Sequence, residues 1–248
     1  MEPGLPASIR SSLKAERGAF LFGNTAPDVQ VISRQPRQDT HFFGLPLRSG
    51  ARPPWQQILV AYPTLAEVSH MPPAQVAFLA GYLCHLQADW LWVKDIFAPV
   101  FGLRVPWGTF PQRLYLHNVL RAYVDRQILP GLTNGTCTSL AEATLRGWLP
   151  FVEDEHLRQW RDSLVVQLRP QASIQTVEVF AARQGIPPVE FYRLLDSEEE
   201  MERQVFARVP RRSLDEYRQV LINENVELLK IYLKTSNFYL GERSDEGH

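Results

Sequence analysis

The chain has only two cysteines in 248 residues, too few for a disulfide framework, and no excess of either charge, its formal net charge being -1. Without a basic field, nucleic acid is disfavoured as an electrostatic partner. The N-terminal stretch MEPGLPASIRSSLKAERG lacks the apolar segment of a signal peptide. The longest apolar stretch, residues 74–91, is interrupted by polar side chains, so we expect no transmembrane segment. Together these absences predict a soluble, cytoplasmic protein.

Alternating strand patterns are also nearly absent, whereas helical periodicity dominates the sequence. The expected fold class is all-α, a multi-helix bundle with additional C-terminal helices. We expect a capping box at 213–216, SLDE, to begin the last helix. Residues 1–170 are assigned to the main helical domain, and residues 171–248 to a C-terminal helical extension that can belong to the same domain. The expected helices are a short one running toward residue 23, and others over 55–70, from 72–73 through the apolar stretch, 112–129, 139–167, 173–183, 188–208 and 213–234.

The apolar stretch AFLAGYLCHLQADWLW, residues 77–92, carries His85 and Asp89 four positions apart. On a helix these two side chains project from one face, one turn apart, and could bind one metal ion. The alternative is a buried histidine and carboxylate that satisfy each other. The apolar surroundings favour the metal, because a buried carboxylate costs several kcal/mol unless it is compensated, and a neutral imidazole compensates poorly.

Further ligand-type residues occur on neighbouring segments. Asp28 and His41 lie in a Pro- and Gly-rich segment, and His117 and Asp125 lie on the next apolar helix. A site between packed helices would present such residues against apolar neighbours. Each also has a simpler interpretation: a turn or cap aspartate, a loop histidine, a core histidine bonded to a carbonyl, and a carboxylate paired with an arginine of its own helix.

The motifs GNTAPD, THFF, AFLAGYLCHLQADWLW and LHNVLRAYVDRQ, within residues 19–127, resemble the zinc-dependent phospholipase C family. The fold of that family is shared with single-strand-specific zinc nucleases. The resemblance implies a helical bundle of the phospholipase C type. It also implies a zinc ion bound by Asp28, His41, His85 and Asp89, which match the order and spacing of the family's ligands.

The same resemblance identifies departures from the complete family site, which holds three zinc ions. Asp95 stands where a histidine is expected, six positions after Asp89, and Arg121 stands where a glutamate is expected, four positions after His117. No histidine precedes His41. Asp125 is the candidate substitute for the missing glutamate. The resemblance therefore implies between one and three zinc ions, and the position matched by Asp28, His41, His85 and Asp89 is the most complete.

The activity implied by the resemblance is hydrolysis of a phosphodiester, phospholipid-like substrate by metal-activated water. Asp28 is the candidate catalytic base, and Asp89 the candidate bridge to a second ion. A small phosphoester or a phospholipid is the expected substrate. The alternative is a non-catalytic helical protein of the same fold, with a reduced or lost metal site, that acts as a binding module. Arg121 and Asp95 favour this alternative.

Overall fold

A computed structural model describes residues 4–48, 50–132, 134–169 and 175–234. Within these ranges every regular element is a helix and there is no strand, so the predicted all-α class is confirmed. None of the helices in the described ranges is both long and apolar enough to cross a bilayer.

The α-helices are connected by turns and longer loops. They are α1 (Ala7–Ala15), α2 (Arg17–Gly23), α3 (Gln30–Ser33), α4 (Arg37–His41), α5 (Pro54–Ala61), α6 (Pro73–Trp92), α7 (Phe110–Ile128), α8 (Asn134–Glu142), α9 (Asp154–Gln167), α10 (Thr176–Gln184), α11 (Pro188–Leu195), α12 (Glu198–Met201) and α13 (Arg211–Lys234). Short 3-10 turns occupy Ala26–Val29, Pro63–Ala66, Val68–His70 and Leu129–Gly131, and π-helical segments at Val93–Phe101 and Glu202–Phe206 extend α6 and α12.

The long buried helix is confirmed, because α6 begins at Pro73 as the two prolines predict. The single helix expected over 55–70 is wrong, since α5 ends at Ala61. Tyr62 precedes a proline and takes non-helical angles, φ -132° and ψ 77°. The helix expected over 139–167 is also divided, since α8 ends at Glu142 and α9 begins at Asp154, with Gly147 at a positive φ of 68° in the segment between them.

The predicted capping box at Ser213 is likewise wrong. The last helix begins two residues earlier, at Arg211, and the Ser213 amide already donates to the carbonyl of Pro210 at 2.8 Å. Pro210 terminates the preceding segment, and its carbonyl becomes the first acceptor of the new helix. Ser213 therefore lies in the first turn instead of at the cap.

Two hydrophobic cores organise the molecule. The first is centred on α6 and includes Phe22, Phe78 and Tyr82, with contributions from α1, α2, α5, α8, α9 and the end of α13. The second includes Phe101 and Phe191 and is built by α7, the π-helical segment after α6, and α10 to α12. Residues after 175 thus contribute to both cores, because α13 returns to pack on α6.

Helices α2 and α6 approach each other closely in the first core. A Cβ atom on Gly81 would overlap the Phe20 carbonyl oxygen, and one on Gly23 would overlap that of Phe78. Only glycine allows the two backbones to touch in this way. Asn24 directly follows α2, and His85 lies one turn after Gly81 on α6. The contact at Gly81 therefore sets the position of the Asn24 backbone relative to His85.

Candidate metal centre

Three of the residues singled out in the sequence meet in space: Asp28, His41 and His85. They come from the 3-10 turn Ala26–Val29, the end of α4 and the middle of α6. One ligand-type atom from each lies within 4.8 Å of the others, so the cluster could hold a metal ion. His41 is buried with 1% of its side chain exposed, whereas 44% of the Asp28 side chain is exposed. The cluster therefore lies at the surface of the core and is open on the Asp28 side.

The backbone of Asn24 sets the tautomer of His85. The His85 Nδ1 atom lies 2.7 Å from the Asn24 carbonyl oxygen. A carbonyl can only accept a hydrogen bond, so Nδ1 must carry the proton. In the neutral ring the Nε2 lone pair is then free for a metal, as in histidine ligands whose other nitrogen donates to a backbone carbonyl.

Thr40 offers an oxygen acceptor to the Nδ1 atom of His41. The Thr40 hydroxyl donates to the Arg37 carbonyl at 3.2 Å and lies 3.0 Å from His41 Nδ1. Because the hydroxyl proton is donated to Arg37, the hydroxyl oxygen can accept the Nδ1 proton of His41 when a cation occupies Nε2. Without a cation, His41 Nε2 lies 3.5 Å from Asp28 Oδ1, where an Nε2 proton would be donated to the carboxylate.

Electrostatics holds this pair in the protonation states that bind a cation. Burial alone would raise the pKa of Asp28, but the interaction with His41 and the charges of His85, His41 and Arg121 together hold it well below its usual value. Burial lowers the pKa of His41, and Asp28 only partly offsets this effect. At neutral pH Asp28 is therefore ionised and His41 is neutral.

Asp89, the fourth expected ligand, points elsewhere. Its carboxylate accepts a hydrogen bond from Arg37 Nη2, on α4. The Arg37 guanidinium also lies 4.7 Å from the centroid of the Phe43 ring, which fixes its position. The ion pair thus separates Asp89 from the cluster that contains His85, one turn earlier on α6.

His117 is enclosed by aromatic side chains of the second core. Its Nε2 atom accepts a hydrogen bond from Trp92 Nε1 at 2.8 Å, and the rings of Phe97 and Phe101 lie 4.8 and 5.3 Å away. Burial lowers the pKa of His117 to about 3, assisted by the charge of Arg121. The nitrogen that would bind a metal is occupied by an indole proton.

The two remaining candidates also lie apart from the cluster. Asp125 accepts a hydrogen bond from the Thr176 hydroxyl at 2.9 Å. Asp95 is exposed and pairs with Lys94 at 3.5 Å. The structure therefore brings together the residues expected for one metal position, apart from Asp89, and does not bring together those considered for further ions.

Arg121 occupies the position where the resemblance leads one to expect a glutamate, and its charge acts on the cluster. Its guanidinium lies 4.7 Å from the centroid of the Phe180 ring on α10. The charge of Arg121 contributes to the lowered pKa of Asp28, and that of Asp28 acts in turn on Arg121. A positive side chain thus lies within electrostatic range of Asp28.

Sequence reasoning missed Arg37, Thr40 and the Asn24 carbonyl. The segment RQDTH contains a signal for two of them: Arg37 lies one helical turn before His41, and Thr40 lies directly before it. A backbone carbonyl leaves no signal in the sequence. No family model, curated protein or solved structure matches this chain. The likeness to the phospholipase C family therefore stays a prediction based on its motifs.

Proposed function

We propose that the protein is a zinc-dependent phosphoesterase whose ion is bound by Asp28, His41 and His85. The observation that carries this proposal is the oxygen acceptor at the Nδ1 atom of each histidine, behind a shared cluster with Asp28. The Asn24 carbonyl accepts the Nδ1 proton of His85, and the Thr40 hydroxyl can accept that of His41, so both Nε2 atoms are available to a cation.

The separation between the His41 and Asp28 ligand atoms suits zinc. Ligand atoms at ~2.1 Å from a tetrahedral zinc ion lie roughly 3.4 Å apart. The separation of His41 Nε2 and Asp28 Oδ1 is 3.5 Å, close to that value. Two imidazoles and one carboxylate are also a donor set that zinc favours.

The number of ligands supports catalysis over a purely structural role. Structural zinc sites are closed by four protein ligands, whereas catalytic sites have three and keep a position for water or substrate. Here Asp89 is held by Arg37, so three protein ligands remain. The exposed side of Asp28 gives substrate a route to the site.

A bound zinc ion would lower the pKa of a water molecule toward ~7 and polarise a phosphoryl oxygen. Asp28 stays ionised at neutral pH, and a carboxylate has two oxygens, of which only one is needed to hold the ion. We assign the other oxygen the role of orienting the attacking water and accepting its proton. A phosphodiester, in which the phosphoryl group is the electrophile, is the substrate class we would assay first.

The competing function is that of a non-catalytic binding module with one metal position. It is favoured by the placement of Asp95 and His117, which lie in a surface ion pair and in the second core. The two functions differ in turnover, not in metal content.

Zinc content and hydrolysis together test the proposal. We expect one zinc atom per chain in protein purified without a tag or added metal, and hydrolysis of bis(p-nitrophenyl) phosphate that a chelator abolishes. Asp28→Asn and His85→Gln should remove both. The matched control is His70→Gln, because the His70 side chain is 80% exposed and lies apart from the cluster. Zinc without hydrolysis would favour the binding module, and absence of zinc would refute the proposal.

A further inference from the structure

Two arginines and two aspartates carry the charges that interact at the candidate zinc position. Arg37 pairs with Asp89, and the charge of Asp28 acts on both Arg37 and Arg121. Without a cation these four charges balance. A divalent ion would leave an excess of positive charge, which an anion from solution can offset.

The arginines differ in whether they are available to such an anion. Arg37 already forms an ion pair with Asp89. Arg121 is exposed and, among the described residues, forms neither an ion pair nor a hydrogen bond. Its only described contact is the stacking on Phe180, which positions the guanidinium and leaves its edge donors free.

The position of Arg121 on α7 sets which part of α6 it lies near. Arg121 follows His117 by one turn, so the two side chains share one side of α7. His117 contacts Trp92 on α6, which follows Asp89 by three positions. The charges of both Asp28 and Arg37 act on Arg121. Its guanidinium thus lies within electrostatic range of Asp28 and of the Arg37–Asp89 ion pair.

We propose that Arg121 is the anion-binding residue of this site and binds a phosphoryl oxygen of the ligand. This inference rests on the proposed zinc site. The planar guanidinium can donate two parallel hydrogen bonds to a phosphoryl group, which an ammonium group cannot do. Arg121 would therefore serve substrate binding and leave zinc binding to the three ligands.

The test measures the affinity of inorganic phosphate for stoichiometrically zinc-loaded protein by titration calorimetry, with zinc affinity measured separately. Loss of charge-assisted hydrogen bonds in Arg121→Gln should weaken phosphate binding by about 10- to 100-fold, and Arg121→Lys should be intermediate. Zinc affinity should stay the same or rise, because a like charge near the cation is removed. The matched control is Arg126→Gln, on the same helix, where Arg126 pairs with Asp196.

The outcomes separate the two proposals. Equal phosphate affinities in the wild type and Arg121→Gln, with zinc bound in both, would overturn the role of Arg121 and leave the zinc site standing. Loss of zinc from Arg121→Gln would show that the residue acts on the metal position and would also overturn it. Failure of the wild type to bind zinc would refute the proposed function and, with it, this inference.

Discussion

Arg37 on α4 donates a hydrogen bond to the carboxylate of Asp89, one helical turn beyond His85 on α6. The ion pair joins residues 52 positions apart in the sequence. It binds the acidic residue that would otherwise be the nearest additional ligand for a cation at His85. Arg37 therefore acts on the coordination number of the site without contacting the cation itself.

Removing Arg37 should convert an open zinc site into a closed one. In Arg37→Gln the carboxylate of Asp89 is released and a like charge is lost, so we expect zinc affinity to rise by about tenfold or more, equivalent to ~1.4 kcal/mol. Hydrolysis should fall, because the position for water is filled. Competition with a chelating fluorophore at pH 7 measures the affinity. The double variant Arg37→Gln with Asp89→Asn should return to near the wild-type affinity, and equal tightening in both variants would contradict the role of Asp89.

Thr40 should matter for zinc through His41. Thr40→Val removes the oxygen that accepts the Nδ1 proton of His41 and should lower zinc affinity by about 10- to 100-fold, the usual effect of losing such a partner. Thr40→Ser keeps the hydroxyl and should retain most of the affinity. Isothermal titration with zinc distinguishes the variants. Similar losses in the valine and serine variants would indicate that packing, and not the hydrogen bond, accounts for the effect.

His117 should make the fold sensitive to acid. Its pKa of about 3 in the folded state lies below the ordinary value of 6.5, so between these pH values the unfolded chain binds the proton and the folded chain does not. The contribution to stability is complete above ~6.5 and is lost as the pH falls, by about 3 kcal/mol at pH ~4. His117→Gln keeps an acceptor for Trp92 but does not titrate. Urea unfolding at several pH values should show a shallower loss of stability in this variant, and parallel losses would contradict the prediction.

The glycine contact between α2 and α6 should be essential to the site. Gly81→Ala places a methyl group against the Phe20 carbonyl, and neither backbone can give way easily, so we expect a loss of at least ~2 kcal/mol. Displacement of Asn24 from His85 should also weaken zinc binding. Gly131→Ala is the control, because nothing lies within 4 Å of its added Cβ atom. Denaturant unfolding and zinc titration check both effects, and equal stability of the Gly81→Ala and Gly131→Ala variants would refute the argument.

The sequence predicts well what is local and periodic. The all-α class and the start of α6 follow from hydrophobic spacing and from prolines in a first helical turn. The resemblance of the motifs predicts that Asp28, His41 and His85 share a site, and the three do form one cluster. Errors occurred at helix ends, because Pro63 stops α5 and α8 already ends at Glu142 although apolar residues follow.

Long-range pairing explains what the sequence could not predict. Asp89 lies four residues after His85, the spacing expected of two metal ligands on one helix face. Only the fold shows that Asp89 pairs with Arg37 and does not join the cluster. His117 likewise has the residue type of a ligand, but its partner is the indole of Trp92, 25 positions away. Such choices depend on which helices meet, and helical periodicity does not contain that information.

The candidate ligands belong to three chain segments that are separated in sequence, and neither cysteine of the described residues forms a disulfide. An ion held by Asp28, His41 and His85 would therefore link the N-terminal turns to the central helix, and would stabilise the folded chain because the unfolded chain does not bring the three ligands together. Unlike a disulfide, it would withstand thiol reductants and yield to chelators. The supply of metal, and not the redox potential, would then determine how stably the N-terminal turns are held against α6.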